Sequence, residues 1–244
     1  VSVYEAIPFK TRHHHFRYVD PVDILSIVQN NNLRYNRFEK VHISIDHESF
    51  TYVPEALYDP SAWYEYLGFV ASGIKKDDVV SSMMVEGKCC VFQYPLPVRK
   101  LLSTLYPTSQ IHHLSESLVD FLGREVGEHD TLFALMHRDD MYVFVFEDQS
   151  LTLVNRYHAP DVQDRLYYIL LACKHRKLSP RKVNVKITGS KDAVEDLNQA
   201  LSKYFIHVHQ SDWKNGWRLP LSLQNPMDIF EFYCMHHANR RRNV

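Results

Sequence analysis

The sequence predicts an α/β protein of two lobes, each built on a mixed sheet with helices on both faces. Three observations lead there. The 244 residues are 45% apolar and 13% aromatic, with only 7 Gly and 11 Pro, so a real core can form and disorder is excluded. Residues 131–157 read as three strands joined by charged turns so short that they must form an antiparallel meander. Residues 161–236 then alternate helix and strand, which requires a mixed sheet.

The first half gives these elements in order. Val1 to Ala6 reads as a short strand. Pro21 to Tyr35 carries Val22, Leu25, Val28 and Leu33 near helical spacing, with Asp20 as N-cap and Pro21 at the first helical position. Lys40 to Asp46 alternates apolar and polar residues, as a half-buried strand does, and Ser49 to Pro54 is a second extended piece. With His47-Glu48 between them, the two predict strand, turn, strand. Asp59-Pro60-Ser61 opens an aromatic helix through Trp63, Tyr64, Tyr66 and Leu67. Val79 to Val85 and Lys88 to Tyr94 flank Glu86-Gly87, a fair hairpin turn. Pro97 to Leu105 is a helix, Gln110 to Leu114 a strand, and Ser115 to Leu122 a helix whose capping box is counted from Ser115.

The second half is more regular. Thr131 to His137, Met141 to Glu147 and Leu151 to Tyr157 are the meander, with Arg138-Asp139-Asp140 and Asp148-Gln149-Ser150 as its turns. Asp161 to Lys177 is an amphipathic helix with Leu166, Ile169, Leu170 and Cys173 on one stripe. Lys182 to Thr188 is a strand, Asp192 to Phe205 a helix, Ile206 to His209 a strand and Pro226 to His236 a last helix. The order β-β-β-α-β-α-β-α is the ribonuclease H-like layout. Two copies facing each other across a cleft make the actin-like ATPase architecture. The expected lobes are residues 1–125, carrying an insertion, and residues 126–244. A first copy without its initial hairpin would begin as this chain does.

Charge and cysteines narrow the function classes. Lys plus Arg is 28 against 29 Asp plus Glu, a formal net charge of -1. That gives no global basic field for nucleic acid. The run Arg240-Arg241-Arg242 reads as a solvated terminus, with a partner or nucleic-acid contact as the alternative. Among the four cysteines the only close pair, Cys89-Cys90, suits neither a zinc knuckle nor an ordinary disulfide, and the usage fits a reducing cytoplasm. No apolar run reaches membrane-spanning length. Residue 1 is Val rather than Met, so the absence of a signal-peptide pattern decides nothing about a leader.

The segments Val41 to Asp59 (VHISIDHESFTYVPEALYD), Asp130 to Tyr157 (DTLFALMHRDDMYVFVFEDQSLTLVNRY) and Asp164 to His175 (DRLYYILLACKH) resemble a Bacteroidetes domain-of-unknown-function family with an actin-like ATPase fold. The resemblance spans most of residues 40–210 and rests on overall pattern. The layout is also similar to that of the actin-like assembly proteins of pilus and secretion machines. It implies the fold and no established activity, because fold does not fix function.

Active members of the actin-like class hold ATP between Gly-containing hairpins and a Gly-rich strand-to-helix turn, where backbone N–H groups approach phosphate. Here the second-half hairpin is His137-Arg138-Asp139-Asp140, without Gly and with two carboxylates. The adenosine turn is reduced to Thr188-Gly189-Ser190. The nucleotide-binding candidates are therefore Asp46, placed to hold Mg²⁺, with Asp139, Gly189 and Ser190. The plain alternatives are a turn carboxylate at Asp46 and a strand-to-helix turn needing small residues at Gly189. No catalytic residue is assigned. Metal is not expected either: His13-His14-His15, His112-His113, His236-His237 and the alternating His207 and His209 form no complete ligand motif. Trp63, Tyr64, Tyr66, Phe69, Trp213 and Trp217 read as core packing, or as an exposed recognition patch. The expectation is a non-enzymatic binding or assembly module with a degenerate nucleotide cleft and another protein as partner. The alternative is an ATP-dependent kinase or ATPase using Mg-ATP.

Overall fold

In the computed structural model, the described residues are 2–7, 10–15, 20–30, 33, 41–85 and 87–210. The expected helix at Pro226 to His236, Trp213, Trp217, His236-His237 and the arginine run lie outside them. The chain divides into two compact units between Glu116 and Ser117.

The amino-terminal unit opens with an antiparallel pair, β1 (Ser2–Ile7) and β2 (Lys10–His15), which carries His13 to His15. Helix α1 (Pro21–Asn30) begins as the sequence predicts, since Asp20 Oδ1 accepts from the Val22 and Asp23 N–H groups. Then come β3 (His42–Ile45), β4 (Phe50–Pro54), α2 (Trp63–Gly68), β5 (Val79–Val85), β6 (Lys88–Gln93), α3 (Leu96–Leu105), β7 (Gln110–His113) and α4 (Leu114–Leu122). The hairpin at Gly87, where φ is +69°, pairs β5 with β6, and β4 joins them antiparallel. Expected as a hairpin, β3 and β4 instead join different ladders. Strand β3 runs parallel to the distant β7, with Ile45 opposite His113. Alternation identified both strands but carries no information about a non-local partner.

Helix α2 closes the β4-β6-β5 sheet. Leu67 and Val91 are fully buried beside Val53 and Val79, with Trp63, Tyr64 and Tyr66 packed around them. Trp63, Tyr64 and Tyr66 are thus packing residues, whereas Phe69, expected among them, is 86% exposed because it follows the end of α2 on the side away from Leu67. Asp78 seats α3, its carboxylate accepting from the Leu96 N–H at 2.7 Å.

The carboxyl-terminal unit holds β8 (Thr131–His137), β9 (Asp140–Glu147), β10 (Ser150–His158), α5 (Val162–Arg176), β11 (Asn184–Thr188), α6 (Lys191–Leu201) and β12 (His207–Gln210). The sheet order is β10-β9-β8-β11-β12. The first three strands are the predicted meander, while β11 runs parallel to both β8 and β12. Leu132, Ala134 and Met136, with Met141, Val143 and Val145 opposite them, bury one aliphatic face in a cluster with Ile169, Cys173, Val194 and Leu197 of α5 and α6. The other face is aromatic and equally buried. Phe133 lies edge-on to Phe146, and Tyr142 stacks on Phe144. Such two-faced burial explains why β8 and β9 read as near-continuous apolar runs. Among the described residues no helix is long and apolar enough to cross a membrane.

Candidate functional site

Parallel pairing fixes where the second-unit candidates fall. Strand β11 aligns Thr188 with Leu135 of β8, so both strands end at one edge of the sheet. The β8–β9 turn, with Asp139, and the β11–α6 turn, with Gly189 and Ser190, emerge there. A Cβ built on Gly189 would lie 3.0 Å from Met136 Cβ and 3.2 Å from the Met136 carbonyl oxygen. A side chain there would press on Met136, so the close approach of this turn to β8 favours glycine. Ser190 precedes α6 in an extended conformation, is exposed, and makes no side-chain capping bond.

The β8–β9 turn is held from within the unit. Arg138 sits at φ +57°, in the left-handed region that favours glycine. Its carbonyl accepts from an Arg165 Nη at 3.1 Å, and the Asp139 carbonyl accepts from the Ala159 N–H at 2.7 Å. Arg165 also donates to the carbonyls of Ala159 and Pro160. Its burial was not foreseen. It lies one place before the apolar stripe of α5, and a cation serving three carbonyls leaves no paired carboxylate in the sequence to reveal it. Helix α5 starts where Asp161 caps the Gln163 and Asp164 N–H groups.

Charges of both signs meet at this end of the strands, Asp139 and Asp140 with Arg138, Arg156 and Arg165. Asp139 is exposed. Asp140 pairs with Arg156 at 2.6 Å and with His158 at 3.2 Å. Burial pushes the Asp140 carboxyl up, but hydrogen bonding and charge from Arg156, then from His158, outweigh it and hold the group below its ordinary value.

Asp46 belongs to the other unit, exposed at the end of β3. Behind it lies a buried polar cluster that sequence reading missed. His113, the residue before α4, is fully buried and stacks on Phe50 at 4.3 Å. Its Nδ1 accepts from the Ser115 N–H at 3.2 Å and lies 2.6 Å from the Ser115 hydroxyl, while Nε2 contacts the His47 carbonyl at 2.9 Å. Glu116 accepts from the His113 N–H at 2.6 Å. This is a capping box, displaced two residues from the predicted frame, with histidine as the cap. Ser115 Oγ also meets the Tyr52 hydroxyl at 3.0 Å. A serine so enclosed is structural. Burial, then the nearby Cys90 and Glu116 charges, raise the Tyr52 hydroxyl well above its usual range. Burial and the Glu116 charge likewise raise the Cys90 thiol. Cys89, Cys90 and Cys173 are all buried and free, and a protonated thiol is a poor nucleophile. Among the described residues no three His, Cys, Asp or Glu side chains gather as a metal site. His207 and His209 are exposed on one face of β12.

Comparison with known proteins agrees with this architecture. A solved structure from Bacteroides thetaiotaomicron VPI-5482, described as a protein with actin-like ATPase fold and unknown function, superposes with a TM-score of 0.75 at 18% identity, covering 86% of this chain and 85% of that one. The PilM-PilN type IV pilus biogenesis complex matches at a TM-score of 0.46 and 10% identity, over 86% of this chain and 84% of that one. A search of the curated proteins finds no match. The superposition on the Bacteroides thetaiotaomicron structure shows that the fold is actin-like. Residues 1–208 match the family described as "Protein of unknown function (DUF3822)", and the chain belongs to that family.

Proposed function

We propose that this protein is a non-enzymatic binding or assembly module on an actin-like frame, with a degenerate nucleotide cleft and another protein as its partner. The observation that carries the reading is the β8–β9 turn. Where active members of the class offer glycine N–H groups to phosphate, this turn has Arg138 at φ +57° followed by the carboxylates Asp139 and Asp140, and no glycine. Gly189 supports it, since its turn packs closely on Met136, a structural reason for a small residue there. In this reading a turn without glycine and with two carboxylates does not fit a triphosphate. Two lobes of about the expected extents, a cytoplasmic setting consistent with the free buried thiols, and a Bacteroidetes source belong to the same proposal.

Thermal unfolding with and without Mg-ATP tests it. A ligand at 100 times its Kd stabilises by about 2.7 kcal/mol. The expected result is no shift at millimolar Mg-ATP. A shift that Asp139→Lys abolishes would overturn the degenerate-cleft reading, and Mg-ATP turnover alongside it would support the ATP-dependent enzyme reading around Asp46, Asp139, Gly189 and Ser190.

A further inference from the structure

Among the described residues, strand β12 is the outer strand of the five-stranded sheet and pairs in parallel with β11 alone. Its register sets where each side chain goes. Val208 packs against the aliphatic cluster that Val185 and Ile187 of β11 also enter. Side chains alternate along a strand, so His207 and His209 both stand on the opposite face. Both are exposed. Two residues of extended chain separate their α-carbons by about 6.6 Å.

On that face β11 places Asn184 beside His207 and Lys186 beside His209. An ammonium next to a cation site repels the ion. Here Lys186 leans the other way. Its Nζ donates to the Glu125 carbonyl at 2.7 Å and lies 5.4 Å from the centre of the Phe133 ring. Phe133 belongs to β8, across β11 from β12. The charge is thereby drawn off the histidine pair, whose other neighbour, Asn184, is neutral.

Imidazole nitrogen ligates late first-row divalent ions, at about 2.0–2.1 Å for zinc. Two such nitrogens on a tetrahedral ion stand about 3.3 Å apart, which two exposed rings on one strand face reach by rotating about their side-chain bonds. Among the described residues no third His, Cys, Asp or Glu joins them, so water supplies the remaining ligands. Two rings on one strand bind together because the second is already at high effective concentration once the first has bound.

We propose that His207 and His209 chelate one late first-row divalent metal ion, of the Zn²⁺ class, on the outer strand of the sheet. His207 aligns with the first residue of β11, at the end of that strand opposite Gly189. The site is therefore separate from the two turns and stands whether or not they bind nucleotide.

A Zn²⁺ titration of the full chain, followed by NMR of the histidine rings, tests it. The His207 and His209 signals, assigned with His207→Ala and His209→Ala, should shift together and saturate with one ion. In His209→Ala the His207 ring should bind at least about tenfold more weakly, and the converse should hold. Both residues are exposed, so the variants should keep the wild-type denaturant midpoint. Mg²⁺, a hard cation that prefers oxygen, should leave both rings unmoved. An unchanged His207 affinity in His209→Ala would overturn the proposal, because the two rings would then bind separately. So would saturation of the two rings at different Zn²⁺ concentrations, no shift at millimolar Zn²⁺, or an equal response to Mg²⁺.

Discussion

The two units solve the same problem differently. In the carboxyl-terminal unit a five-stranded sheet buries an aliphatic and an aromatic face, and its charged groups sit in the turns at the strand ends. In the amino-terminal unit the junction of β3, β7 and α4 places His113, Ser115 and Glu116 at no more than 2% exposure. The first region is held by apolar area, which is non-directional and tolerant of detail. The second is held by directed hydrogen bonds that cost free energy as soon as one partner is lost.

Mutations sharpen that contrast, beginning with the largest effect. Phe144→Ala in the centre of β9 should lower unfolding stability by about 3–5 kcal/mol, read from the denaturant midpoint. An unchanged midpoint would mean that the aromatic face is not packed. Ser115→Ala should cost less, about 1–3 kcal/mol, because it strips partners from the Tyr52 hydroxyl and the His113 ring in a buried site. Loss should appear in the amide exchange of β3, β4 and α4 and leave β8 and β9 protected.

The smallest effect is in pH. Asp140 has a folded value below its ordinary carboxylate value of about 4. Such a group contributes stability fully present above its unfolded value and lost as pH falls through the lower folded one. The loss therefore comes below about pH 4. Arg156→Ala should flatten the acid limb of the stability curve there and change little at neutral pH. The change is small because the Arg156 and Asp140 side chains keep 17% and 27% of their exposure. An acid limb identical in the variant would show that the pair contributes nothing.

The sequence made the second unit legible because its signals are local. Charged turns at Arg138-Asp139-Asp140 and Asp148-Gln149-Ser150 bound the meander, and Asp161 starts α5 where a capping residue should. The misreadings arise where structure depends on distant residues. His42–Ile45 pairs with Gln110–His113, and no spacing rule links those segments. His112-His113 reads as a chance pair until stacking on Phe50 and capping of α4 give His113 its place. Gly189 is legible as a turn glycine, but the reason for it, contact with Met136, needs the parallel register of β8 and β11. Tyr94 is similar: burial pushes its hydroxyl up to about 12, which the strand pattern alone does not foretell.

The central claim is that the β8–β9 and β11–α6 turns do not receive a triphosphate. Hydrogen exchange of the backbone amides at residues 137–140 and 189–191, with and without millimolar Mg-ATP, tests it most directly. The account predicts identical exchange in both turns. Protection of both on adding Mg-ATP, retained in wild type and lost in Asp139→Lys, would contradict it.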